Sequence, residues 1–314
     1  MDKDKPYNKN DKNNAISKTN VISTVNKVAV LELDGPIATS YESNFFSKEA
    51  NAQTLLESLI SLQTNNDIKG IIIKINSPGG TVAMSQNIYN QIIKIRKKKP
   101  VVVVLDDVAA SGGYYIASAA DRIIAQEGTL TGSIGVIFSF MDYHNLLLNK
   151  LSVKPVVIKS GKHKDIGSGL REITQEEIVL MQEIIDDSYK QFVQAIVNGR
   201  INRTDKYSAK KTKLTMLEIN KYADGRVFTG KQAQKMGFVD EIGDLDTAKE
   251  MIEKMLQEKL QNKQPIKLVR YNKKNAFSEY FSTFKEYSSN TNVKLTDFIP
   301  TSMILSRKPL YLWE

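Results

Sequence analysis

The sequence predicts an α/β fold built on a largely parallel sheet, and three features carry that prediction. Its strand-like runs "KGIIIKIN" (69–76) and "VVVVL" (101–105) are nearly continuous in apolar residues, as strands buried on both faces are. Between such runs lie stretches with apolar residues at helical spacing, so strands and helices alternate along the chain. The two runs lead into Gly-rich turns, "NSPGGT" (76–81) and "AASGGYY" (109–115), where open α/β sheets place their ligand sites.

Taken in order, "KVAVLELDG" (27–35) reads as a first strand ending at a turn. "NAQTLLESLISLQTNN" (51–66) reads as a helix with Leu55, Leu56, Leu59 and Ile60 on one face. The strand over 69–76 follows, and then a helix with Met84, Ile88, Ile92 and Ile95 on one side, stopped before Pro100. After the strand over 101–105 come two short strands, "DRIIA" (121–125) and "GVIFSF" (135–140). A helix "YHNLLLNKL" (143–151) and a strand "KPVVIKSG" (154–161) are expected next.

Thr174 and Glu177 in "TQEE" form a capping box for a helix whose apolar face is Ile178, Met181, Ile185, Tyr189, Phe192 and Ile196. A Lys-rich stretch over 203–213 has no periodicity and reads as an exposed loop. A turn-rich piece over 222–252 leads into another helix, followed by a strand "IKLVRY" (266–271) and an aromatic helix "FSEYFSTFKEY" (277–287). The expected organisation is a disordered polar N-terminus (1–25), one α/β domain (26–260) and a partly helical C-terminal extension (261–314).

Composition narrows the chemistry. With 41% hydrophobic and 25% charged residues, the 314-residue chain has the make-up of a folded soluble protein. The net charge of +9 sits largely in short Lys-rich pieces such as "KIRKKKP" (94–100), with no aromatic residues interleaved with Arg. That describes a solvated basic surface and not a nucleic-acid groove. The absence of cysteine excludes disulfides, thiol nucleophiles and zinc–thiolate sites, and two histidines are too few for a multi-His metal centre. Neither long uncharged run, 108–120 or 128–141, reaches the ~18–20 apolar residues that span a bilayer. The polar start has no apolar core of a signal peptide, so a soluble chain is expected.

Ser111 stands between two alanines and two glycines, which suits either a tightly packed turn or an accessible nucleophile. Acyl transfer needs backbone N–H donors aimed at a developing oxyanion, and Gly80 and Gly112 would be a natural pair. A serine nucleophile also needs a base. His144 lies in a Leu-rich helical stretch, whereas His163 and Lys164 lie among glycines in "KSGKHKDIGSG" (159–169). A lysine base requires a depressed pKa, so that neutral amine exists near neutral pH. Residue types and spacing leave these alternatives open.

"INSPGGTVAMS", "AASGGYYIASAADRIIA", "TLTGSIGVI", "IKSGKHKDIGS" and "ADGRVFTGKQAQKMGFVDEIG" occur in this order. Together they resemble the signal peptide peptidase A (SppA) family of serine peptidases in its short, single-unit form, over roughly 27–255. The resemblance implies a ClpP/crotonase-like fold, a stacked β-β-α superhelix with added helices. It also implies a Ser/Lys dyad acting without metal or organic cofactor on remnant signal peptides and other exposed hydrophobic segments. Residue by residue, it makes Ser111 the nucleophile, Lys164 the general base, Gly80 and Gly112 the oxyanion donors, and Ser133 in "TGSIG" a helper that orients the lysine. Its short form is expected to assemble as a homo-oligomeric ring in which serine and lysine come from neighbouring subunits.

Members of this family commonly carry an N-terminal membrane anchor, and no such segment stands in this sequence. The expectation is therefore a soluble protein, or one in peripheral contact with a membrane. A crotonase-type acyl-CoA enzyme shares the fold and the paired glycines but has no use for a Ser/Lys pair. A Ser-His-Asp arrangement of the Clp type would need its histidine near Val136, and none stands there. A non-catalytic membrane-associated scaffold would leave both Ser111 and Lys164 without a purpose.

Overall fold

The computed structural model describes residues 25–38, 51–202, 214–261 and 264–271. Residues 1–24 of the expected polar N-terminus (1–25), the Lys-rich loop over 203–213 and the aromatic helix over 277–287 lie outside the described residues. The chain divides into two units, Met1–Arg270 and Tyr271–Glu314, and of the second only Tyr271 is described.

Strand β1 (Asn26–Asp34) is followed by helix α1 (Ala52–Thr64), β2 (Ile68–Ser77), α2 (Val82–Arg96), β3 (Val101–Ala110) and α3 (Gly112–Ala117). Two short strands, β4 (Arg122–Ala125) and β5 (Leu130–Gly132), precede α4 (His144–Asn149) and the long α5 (Gln175–Ile196). A π-helical turn (Val197–Ile201) ends α5. Then come α6 (Met216–Tyr222), β6 (Val227–Thr229), α7 (Gly230–Met236), β7 (Glu241–Ile242), α8 (Leu245–Leu260) and β8 (Ile266–Arg270).

Among the described residues the strands form one eight-stranded sheet in the order β6-β5-β3-β2-β1-β8, with β4 and β7 branching from β3. Every pairing is parallel except β5 with β6. Parallel strands need helical crossovers that cover both faces of the sheet, which is why the central strands carry so few polar residues. Val28, Val30, Ile72, Val102 and Val104 face Ile252, Met255 and Leu256 of α8 on one side. The alternate residues, among them Ala29, Leu31, Ile71, Ile73, Val101 and Val103, are buried as well, and α1 and α2 pack against β1 and β3. β8 pairs with β1, so the sheet continues past residue 260, into the segment expected to be an extension.

The strand β3 splits the sheet and thereby makes the site. Its first half pairs with β4 and its last residues, Val108–Ala110, pair with β5. The register to β2 shifts between Ile75 and Ser77, where the two partners diverge. Such an irregularity bends a strand and re-aims its end.

Several local readings change. The buried face of α1 is Ala52, Leu55, Leu59 and Leu62, while Ile60 is 53% exposed. The face of α2 holds as expected, with Met84, Ile88, Ile92 and Ile95 all buried. The capping box of α5 is present, but of its expected apolar face only Phe192 and Ile196 are buried, and Ile178 is exposed. Neither 135–140 nor 154–161 is a strand. Both have β-forming residues, yet nothing among the described residues pairs with them, and an unpaired strand leaves its backbone groups without partners. They run as irregular chain with Ile137, Val156 and Ile158 exposed. No described helix is long and apolar enough to cross a membrane.

Candidate active site

The expected nucleophile sits where β3 turns into α3. Ser111 has φ 52° and ψ −119°, a region a residue with a Cβ enters only under strain. The strand-to-helix turn is sharp enough to leave the side chain at the rim, with Ser111 half-buried and the following Gly112, Gly113, Tyr114 and Tyr115 buried. Two hydrogen bonds hold it: the Ser111 N–H donates to Gly132 O at 2.9 Å, and the Tyr115 N–H donates to Ser111 O at 2.9 Å. Strain sustained by this kind of bonding is what places a serine hydroxyl at the top of a strand in nucleophile-elbow turns.

The "SPGG" turn after β2 lies against this one. A Cβ on Gly79 (φ 108°) would stand 2.7 Å from the Ser111 Cβ and 2.8 Å from the Gly112 nitrogen. A Cβ on Gly112 would stand 3.3 Å from the Gly80 nitrogen. Side chains at these positions would therefore fill the space between the serine and the two N–H groups. Neither the Gly80 nor the Gly112 N–H has an acceptor among the described residues. Two unengaged donors beside a strained serine are what an oxyanion requires.

Residues that spacing did not single out hold the second turn in place. Ile37 N–H donates to Gly79 O at 2.8 Å, and Thr81 N–H donates to Ile37 O at 2.7 Å, so Gly80 is pinned between them. A side chain on Gly80 would overlap the Ile37 carbonyl. Ser77 Oγ accepts from Gly79 N–H at 3.2 Å, and the Ser85 hydroxyl donates to Thr81 O at 2.9 Å. The one sequence signal for Ile37 was the "DGPI" turn directly after β1.

Ser133 adjoins the nucleophile through Gly132. It is half-buried, has φ 50°, and its N–H donates to Arg226 O at 2.8 Å. Lys164 stands apart from this group. Its side chain is exposed on the turn 160–167, and its Nζ has no hydrogen-bond or ion-pair partner among the described residues, Ser111 included. The two histidines face carboxylates instead of the serine. His163 lies 3.6 Å from Glu177 and 3.5 Å from Glu176, and His144 lies 3.9 Å from Glu172.

The turn bearing Lys164 is itself built by charge. Asp165 accepts from Lys159 Nζ at 2.6 Å and from Arg171 at 2.7 and 3.0 Å. Hydrogen bonds from Arg171 first, and Lys159 second, hold the Asp165 carboxyl well below the usual carboxylate range. Arg171, with the Thr174 backbone N–H behind it, does the same to Glu177.

Known proteins resemble this chain over much of its length. The model of peptidase family S49 matches residues 93–260, and that of the Clp protease family matches 42–126. An Enterococcus faecium protein named as a signal peptide peptidase SppA is 37% identical over 73% of this chain and 63% of its own length. A Synechocystis protein named as a protease is also 37% identical, over 73% of this chain and 74% of its own. Among solved structures, a ClpP1 mutant of Listeria monocytogenes is similar with a TM-score of 0.42 and 20% identity, over 68% of this chain and 91% of that one. The family match and the protease-named relatives make this chain a serine peptidase. More particularly, the chain belongs to peptidase family S49.

Proposed function

We propose that the protein is an endopeptidase of the SppA type, cutting remnant signal peptides and other exposed hydrophobic segments with a Ser/Lys dyad. The observation that carries this reading is the strained Ser111 beside the unengaged N–H groups of Gly80 and Gly112. In the first step Ser111 Oγ attacks the scissile carbonyl carbon while the neutral amine of Lys164 accepts the hydroxyl proton. The carbonyl oxygen becomes an oxyanion held by the two glycine N–H groups. The tetrahedral intermediate collapses by breaking the C–N bond, and protonated Lys164 delivers its proton to the leaving amine. Water, deprotonated by Lys164, then attacks the acyl carbon, the ester C–O bond breaks, and protonated Lys164 returns its proton to Ser111 Oγ. The Ser133 hydroxyl accepts a hydrogen bond from the lysine amine and orients it.

Among the described residues of one chain Lys164 makes no hydrogen bond to Ser111, and the reading includes a ring in which a neighbouring copy supplies the lysine. The exposed apolar residues of 137–158, including Ile137, Met141, Leu151, Val156 and Ile158, are what such a neighbour would cover. Labelling with a serine-directed phosphonate tests the dyad. Adduct at Ser111 in the unaltered protein, lost in Lys164→Ala, is expected. Full peptidase activity in purified Ser111→Ala or Lys164→Ala would overturn it.

A further inference from the structure

Arg171 ties two carboxylates together with four hydrogen bonds. Its Nε and Nη2 donate to Asp165 at 3.0 and 2.7 Å, and its Nη1 and Nη2 donate to Glu177 at 2.8 and 2.5 Å. Bidentate guanidinium–carboxylate pairing fixes orientation as well as distance, which an ammonium group cannot do. The two carboxylates are nearly out of solvent, Asp165 with 9% and Glu177 with 2% of the side chain exposed. Glu177 also closes the capping box of α5, accepting from the Thr174 N–H at 3.0 Å while Thr174 Oγ1 accepts from the Glu177 N–H at 3.2 Å. The first turn of a long helix is thereby bonded to the residue following Lys164.

The remainder of the turn is anchored too. The Tyr143 N–H donates to Gly169 O at 3.0 Å, and a 210 Å³ cavity between the two segments is lined by Phe140, Asp142, Asp165 and Arg171. Lys159 bonds Asp165, Lys162 pairs with Glu176, and His163 faces Glu176 and Glu177. His144 lies near Glu172 at the outer edge. In this ring of charges Arg171 alone touches both buried carboxylates.

We propose that Arg171 is a positioning residue for Lys164: it holds the lysine-bearing turn on α5 and occupies the Asp165 carboxylate so that Lys164 does not pair with it. The proposal rests on Lys164 being the base. Lys159 bonds Asp165 through Oδ1, so without Arg171 it is Oδ2 that opens to the neighbouring Lys164, where it would stabilise the ammonium form and remove the neutral amine that catalysis needs. The low proton affinity that Arg171 confers on Asp165 and Glu177 keeps both ionised throughout the working range, so the need for a counter-cation does not lapse.

The test compares pH–kcat profiles of the full chain, Arg171→Ala, Arg171→Lys and the double variant Arg171→Ala/Asp165→Asn, with thermal melts to establish folding. In Arg171→Ala, kcat is expected to fall at least about tenfold with little change in KM, and its acidic limb to move up by about 1 pH unit. The double variant should return the acidic limb to its original position, because the carboxylate that pairs with the lysine is gone. Arg171→Lys should rescue only in part, since an ammonium cannot serve both carboxylates bidentately. An Arg171→Ala protein that is folded and has an unmoved acidic limb would overturn the proposal, as would a double variant whose limb stays displaced. Should Arg171→Ala melt out at working temperature, the Arg171→Lys profile decides by the same criterion. Full activity of Lys164→Ala would instead strike the underlying dyad, and the two failures are thus distinguishable.

Discussion

The Ser111 N–H donates to the carbonyl oxygen of Gly132 at 2.9 Å, tying the end of β3 to the end of β5 one residue before Ser133. Both serines sit at positive φ, 52° and 50°. The sheet on either side of the strand split holds both at backbone angles that a residue with a Cβ adopts only at a cost.

Removing the strain should separate stability from activity. Ser111→Gly is expected to abolish peptide cleavage and to raise stability by about 1–3 kcal/mol, because glycine accepts this backbone conformation freely. Ser111→Ala keeps the Cβ and should abolish cleavage without that gain. Chemical denaturation beside a peptide assay reads both.

A parallel comparison applies to Ser133. Ser133→Ala and Ser133→Gly both lose the hydroxyl proposed to orient the lysine, so both should lose kcat to a similar extent, about tenfold or more. Only the glycine variant should gain stability, by about 1 kcal/mol. A Ser133→Ala enzyme as active as the original would remove this serine from the mechanism.

Gly80→Ala should lose about 10²–10³-fold in kcat, the usual result of disabling an oxyanion donor. The added methyl overlaps the Ile37 carbonyl, so the turn must shift and its N–H with it. Kinetics with a short apolar peptide, checked against an unchanged far-UV spectrum, measures the loss.

If Ser111 and Lys164 come from neighbouring copies, mixtures of the two inactive variants should regain activity. Ser111→Ala and Lys164→Ala subunits, unfolded and refolded together, would form some sites with both residues intact. Each variant refolded alone should stay inactive. No activity in mixed rings, verified as mixed by mass, would place both residues in one chain.

The clamp around Arg171 predicts an acid-labile turn. Asp165 and Glu177 have lower carboxyl pKa values folded than unfolded. The folded state therefore binds fewer protons, and the stabilisation is complete above the unfolded value of about 4 and is lost as pH falls below it. Melting temperature should drop over that acidic range, and the drop should be shallower in Arg171→Ala.

Much of the fold was legible in local pattern. Buried parallel strands announce themselves as apolar runs, so β2 and β3 stand where "KGIIIKIN" and "VVVVL" lie, and the capping box at Thr174 and Glu177 fixes the start of α5. That Ser111, Gly80 and Gly112 lie just past strand ends was legible as well, since each follows an apolar run within a few residues, whereas spacing left their roles open. These signals involve neighbours in the chain, and the chain order carries them directly.

Other features depend on partners distant in sequence. Ile37 pins Gly80 across a gap no periodicity marks, and Arg171 serves Asp165 and Glu177 at once only because the turn folds back on α5. The β-forming residues of 135–140 and 154–161 make no strand, because a strand needs a ladder of hydrogen bonds to a neighbour and none of the described residues offers one. Side-chain pattern states what a segment prefers, but hydrogen bonds and ion pairs between remote segments decide whether that preference is met.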